Sequence, residues 1–137
     1  MKNDQLHHVL MVGQEIQGLE SYVHAISPSA ACTVMSNAQF MGAAILTQQP
    51  SLLMTGPSAT EQMIQIRRNI MSACIGAEEL LGGGRHIAFV NKKQGVMRRR
   101  MMKSGAIVLP HDAFRPRDLV RHIESILSVS DPLQNLR

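Results

Sequence analysis

Pro50-Ser51-Leu52-Leu53-Met54-Thr55-Gly56-Pro57 holds a short, mostly apolar run, Leu52 to Thr55, between a proline and a Gly-Pro pair. A run of this kind without alternation, bounded by breakers, predicts a strand buried on both faces, and such strands belong to parallel sheets. In an open parallel sheet a ligand site lies just beyond the carboxyl end of the strands. Here that point is Thr55-Gly56-Pro57.

Working outward, strand-like and helix-like patterns alternate. His8-Val9-Leu10-Met11-Val12 predicts a first strand stopped by Gly13. From Glu15, the apolar positions Ile16, Leu19, Val23 and Ile26 recur at three and four and predict a helix. Cys32 to Met35 predicts a short second strand, and Asn37 is placed to cap a helix through Gln48 with Phe40, Met41, Ala44 and Ile45 inward. Beyond the central strand, Thr60 opens a helix with Met63, Ile66 and Ile70 inward. His86 to Val90 and Ala106 to Leu109 predict the last two strands. Between them Gly95 to Ser104 predicts a basic helix stopped by Gly105. Pro116 starts a final helix with Leu119, Val120, Ile123, Ile126 and Leu127 inward. Residues 71–85 carry no decisive pattern, and Gly82-Gly83-Gly84-Arg85 reads as a flexible connection, since it precedes a strand and lacks Gly-Lys-Thr. The alternation predicts an α/β fold with a parallel sheet and helices on both faces.

Composition narrows the function classes. The 137 residues suit one domain, read as 1–129, with 130–137 a tail that would begin a linker to an effector domain. Aromatics make up 3% and there are ten Met residues, so the core must be aliphatic and methionine. No apolar run approaches a membrane span, and Met1 to Gln5 lacks the features of a signal peptide, which predicts a cytoplasmic protein. Cys32 and Cys74 lack metal spacing and read as reduced and buried. The six histidines show no ligand spacing, so no metal and no cofactor is expected. Nine of the 14 basic residues lie between Lys92 and Arg121, where only Asp112 and Asp118 oppose them. That segment carries +7 and the remainder −3, so the charge is concentrated in the C-terminal third.

The order and lengths of these elements resemble a bacterial response-regulator receiver domain, whose fold is flavodoxin-like with strand order 2-1-3-4-5. The most specific local match is Gly105-Ala106-Ile107-Val108-Leu109-Pro110-His111-Asp112-Ala113-Phe114-Arg115-Pro116-Arg117-Asp118-Leu119, in which Gly105, Ala106, Phe114, Pro116 and Leu119 fall in register with the family pattern. Val9 to Val12 matches the family's first strand and Pro50 to Met54 its third.

Receivers take a phosphoryl group onto an Asp after the third strand, with Mg²⁺ held by an acidic pair after the first. A hydroxyl after the fourth strand and a Lys after the fifth contact the phosphate. The resemblance places Gly13 and Gln14 at the acidic pair, Gly56, next to Thr55, at the phosphoacceptor, Asn91 at the hydroxyl and Asp112 at the lysine. A carboxylate nucleophile, hard oxygen ligands and a cation are each replaced. No Asp or Glu occurs from Ser21 to Thr60, so shifting the alignment restores nothing. The expectation is a pseudo-receiver without enzymatic activity or small-molecule substrate. Thr55 reads as a strand-end hydroxyl bonded to backbone rather than a target for a separate kinase. Glu15 reads as a first-turn acid facing its helix dipole, and Asp112 is placed to reach Asn91 across the pocket.

In receivers the fourth helix, fifth strand and fifth helix form a shared docking surface. The resemblance puts Met97, Arg98, Arg99, Arg100, Met101, Lys103, Phe114, Arg117 and Arg121 there. The expected partner is an acidic protein surface or a second copy of the chain. The alternative is a nucleic-acid-binding α/β domain using the basic surface of residues 92–121. Against it stand three Phe, one Tyr and no Trp, too few for a stacking platform, and no groove-reading motif.

Overall fold

The computed structural model of the chain describes residues 7–73, 80–81 and 84–129. Five strands, β1 (His8–Val12), β2 (Ala31–Met35), β3 (Leu52–Thr55), β4 (His86–Val90) and β5 (Ile107–Pro110), pair in parallel in the order β2-β1-β3-β4-β5. Around them lie α1 (Glu20–Ile26), α2 (Met41–Gln48), α3 (Pro57–Ala73), α4 (Gly95–Lys103) and α5 (Pro116–Val129), with a 3-10 turn, Gln14–Ile16, after β1. This is the parallel sheet with helices on both faces that the alternation predicted, in the flavodoxin-like strand order that the resemblance implied.

β3 is buried along its whole length because the sheet has helices on both faces. Leu53, with Leu10, Val12 and Ala88, packs against Met41 and Ile45 of α2, Met63 of α3 and Met101 of α4. Leu52 and Met54, with Val9, Met11, Ile87 and Phe89, pack on the other face against Val23 of α1 and Leu119 and Ile123 of α5. Fully burying each such leucine contributes about 1.5–3 kcal/mol. The register sets Val12 beside Thr55 and Thr55 beside Ala88, so β1 and β3 end at one level and the following loops meet there.

Several local expectations need correction. The helix predicted from Glu15 begins at Glu20, because Gly18 at φ 100 interrupts the apolar spacing after the 3-10 turn. Asn37 does not cap α2. Its Oδ1 accepts from Gln39 N–H at 2.9 Å, making a turn ahead of a helix whose N-cap is Phe40. Phe40 itself points outward, 63% exposed. Met101, assigned to the docking face, is core at 2% exposure, because residues four apart on a short surface helix share its inward side. Cys32 is half-buried, and burial, then the charge of Glu20, pushes its thiol up, so it makes a poor thiolate. Gly105 at φ 97 ends α4 as predicted. Cys74, Gly82, Gly83 and the tail 130–137 lie outside the described residues.

Candidate functional site at the carboxyl edge of the sheet

Backbone hydrogen bonds draw the post-strand loops into one rim. Gly13 N–H donates to Met35 O, Gly56 N–H to Val12 O and His111 N–H to Val90 O, each at 2.8 Å. Gly13, Gln14, Thr55, Gly56, Asn91 and Asp112 lie along this edge.

Glu15 fills the middle of the rim. Gly56 stands at the N-cap of α3, with Pro57 in the first helical position and Thr60 N–H donating to Gly56 O at 2.8 Å. A glycine N-cap has no side-chain oxygen for the first free N–H groups of the helix. Glu15 supplies one from 43 residues away: its Oε2 accepts from Ser58 N–H at 3.1 Å and from Ser58 Oγ–H at 2.6 Å. The other carboxylate oxygen lies between the two glycines. A Cβ on Gly56 would stand 2.8 Å from Glu15 Oε1, and one on Gly13 would stand 2.9 Å from it. Gly13 is at φ 123, which L side chains rarely adopt, so position 13 is closed to a side chain by backbone as well as by space.

His111 ties the other side. Its Nε2–H donates to the Glu15 carbonyl at 2.9 Å, and its ring meets the edge of Phe89. Burial pushes the Glu15 carboxyl up. The hydrogen bonds from Ser58 and the nearby His111 outweigh it, and the net shift is downward from 4.5. The macrodipole reading of Glu15 is thus corrected: the helix it faces is α3, not its own.

Beneath this rim lies a buried polar chain. Thr55, Thr60 and His86 are each 0% exposed. Thr55 Oγ1 is 2.7 Å from Thr60 Oγ1 and 2.8 Å from His86 Nε2, and Thr60 Oγ1–H donates to Thr55 O at 3.1 Å. One proton assignment satisfies all three contacts: His86 Nε2–H donates to Thr55, Thr55 to Thr60, and Thr60 to the carbonyl. It leaves His86 neutral with Nδ1 as a buried acceptor without a partner. Burial first, and the charge of Arg67 second, lower the His86 pKa from 6.5 to about 3. Thr55 therefore bonds side chains rather than backbone, and its hydroxyl is out of reach of a kinase.

Asn91 and Asp112 do not meet as expected. Asn91 is used locally: its N–H donates to Gln94 Oε1 and its Oδ1 accepts from Lys93 N–H, both at 3.0 Å. Gln94 Nε2–H in turn donates to Pro57 O at 3.0 Å, tying the loop after β4 to the start of α3. Asp112 is exposed and lines, with Asn91, Lys92 and Arg98, a cleft of about 200 Å³.

Of the basic surface, Arg98, Arg99, Arg100 and Lys103 on α4 and Arg117 and Arg121 on α5 are exposed. Met97 is half-buried, and Phe114 packs edge-on against Phe89 at 5.3 Å. Sequence reading missed Val96 and Met102, 61% and 56% exposed, which lie off the inward stripe of α4 and interleave apolar area with the charges. Tyr22 is partly buried against the core and Phe40 stands at the N-cap of α2, so no exposed aromatic ring accompanies the basic residues. Among the described residues no three His, Cys, Asp or Glu come together, and no helix is long and apolar enough to cross a membrane.

No family model matches the chain. None of the curated proteins matches it either. Solved structures do. The chain is similar to a CheY-like response regulator receiver domain protein from Methanospirillum hungatei, with TM-score 0.62 and 17% identity over 90% of this chain and 95% of that one. It is similar to the receiver domain of a Francisella response regulator, with TM-score 0.62 and 12% identity over 91% and 99%. A putative CpaE2 pilus assembly protein from Sinorhizobium meliloti matches with TM-score 0.59 and 11% identity over 87% and 98%. At these identities the likeness is one of architecture: the chain has the receiver-like fold, order 2-1-3-4-5, over nearly all of its length.

Proposed function

We propose that the protein is a pseudo-receiver: a cytoplasmic signalling module without enzymatic activity that meets a protein partner independently of phosphorylation. The observation that carries this reading is the Glu15 carboxylate, which lies where an acid at Gly56 would project and already holds the Ser58 N–H and hydroxyl. Phosphotransfer needs a carboxylate nucleophile with open space before it. This rim has glycines at positions 13 and 56 and an internal anion between them. The partner-binding element is the face of α4, β5 and α5. Its exposed arginines fit an acidic protein surface, and Val96 and Met102 supply apolar area beside them.

Incubation with acetyl phosphate and Mg²⁺ followed by intact-mass spectrometry tests the first half. The expected spectrum is that of the unmodified chain. An adduct of about 80 Da that hydroxylamine removes, the mark of an acyl phosphate, would overturn the reading.

A further inference from the structure

Opposite the basic edge, the molecule has a surface with no charge. From Ser21 to Thr60 the sequence contains no Asp, Glu, Lys or Arg. That span holds the edge strand β2, which exposes Val34 at 38%, and all of α2. Edge strands and surface helices ordinarily carry charges that keep them in water and apart from their neighbours. α2 has two faces. Met41 and Ile45 go into the core, while Gly42, Ala43 and Leu46, with Gln39 ahead of the helix, line the outer side.

This outer stripe and the facing side of α3 enclose an open groove of about 870 Å³. Among the described residues its lining is apolar or carboxamide, with Ile66 and Ile70 from α3 and no ionisable side chain. Phe40 and Leu46 stand on its rim, 63% and 53% exposed. Patches whose core is apolar and depleted of charge are the compositional mark of a protein interface.

We infer that this groove is the seat of a homodimer, in which α2 of each copy lies in the α2–α3 groove of the other. Two features select a second copy as the occupant. An isologous interface must be complementary to itself, and this patch carries both the protruding Phe40 and, beside it, a hollow bordered by Gly42 and Ala43. Charge then decides which face can self-pair. Two copies meeting through α4 and α5 would bring the +7 segments together, whereas the described lining of the α2–α3 groove sets no like charges against each other. Because β2 and β5 are opposite edges of the sheet, a dimer built here leaves both basic faces free at its two ends. The inference does not depend on the pseudo-receiver reading.

Sedimentation equilibrium of the full chain at micromolar concentration tests it. The expected mass is twice the 15.1 kDa of the chain. Phe40→Asp and Leu46→Glu, both at exposed positions, are each expected to weaken the dimer by roughly 30-fold or more. Circular dichroism should show unchanged folding, and Arg99→Glu should leave the dimer intact. A monomer at every concentration, including one that captures an unrelated apolar partner instead, overturns the inference. So does a dimer that persists in both groove variants or dissociates with Arg99→Glu.

Discussion

Gly56→Asp destabilises the protein, and Glu15→Ala in the same chain returns most of that loss. The Cβ of the new side chain would lie 2.8 Å from Glu15 Oε1 and 3.5 Å from Glu15 Cβ and Cδ. Something must give, and the free end of Glu15 is softer than the backbone of α3. Once displaced, Glu15 leaves Ser58 N–H without its acceptor, and two carboxylates compete for one helix terminus. Loss of an N-cap costs about 0.5–2 kcal/mol, with exposure favouring the lower part of that range. Like-charge repulsion adds to it in the single variant. With Glu15 shortened, the aspartate can take over as an N-cap with its own oxygen. The two substitutions should therefore be coupled by about 1–2 kcal/mol, read from a double-mutant cycle in urea. Additivity within about 0.5 kcal/mol would mean that the two side chains do not share the space. Acetyl phosphate should still fail to label the double variant, because Gly13 and Gln14 offer no acid for Mg²⁺.

What the sequence made legible, and what it hid, follows from the range of each interaction. Leu52 to Thr55 was readable because a strand covered on both faces is apolar whichever way it points, and register does not matter to the pattern. Phe40 was misread because periodicity places it one turn before Ala44, while the helix itself begins only at Met41. The stripe from Ile16 to Ile26 concealed a break, since spacing takes no account of the positive φ at Gly18. Met97 and Met101 were placed on one helix face correctly, but that face turns toward the core. Glu15 was the largest miss: it sits one or two positions beyond the family's acidic pair, and its partner Ser58 is brought near only by β1–β3 pairing. A trace of it was available. A Gly-Pro-Ser helix start lacks its own N-cap oxygen, and Glu15 is the only acid at the end of the adjoining first strand. The contact between Thr55 and His86 had no such trace, because each residue alone looks like a minor interruption in an apolar strand.

That hidden chain makes the fold sensitive to acid. His86 has its pKa lowered to about 3 in the folded protein, against an ordinary value of 6.5, with burial the first cause and Arg67 the second. Between those two pH values the unfolded chain binds one proton more than the folded one, so stability rises with pH across the window. The contribution is complete above 6.5 and is lost as the pH falls toward 3, at about 1.4 kcal/mol per pH unit. From pH 6.5 to 5 the expected loss is about 2 kcal/mol, before the carboxylates titrate. Glu15, whose pKa is lowered from 4.5, adds its own loss only further down. Urea unfolding of the wild type and His86→Gln at half-unit steps between pH 5 and 7 separates the terms. The glutamine can still donate to Thr55 Oγ1 but cannot titrate, so its stability should be nearly flat where the wild type slopes. Thr55→Val supplies the second comparison. It removes the acceptor of His86 Nε2–H and lowers stability at pH 7, yet leaves the imidazole buried, so the slope should survive the offset. Equal slopes in wild type and His86→Gln would mean that the imidazole takes up its proton in the fold as readily as in the unfolded chain, and the neutral, donor-first arrangement of His86, Thr55 and Thr60 would then be wrong.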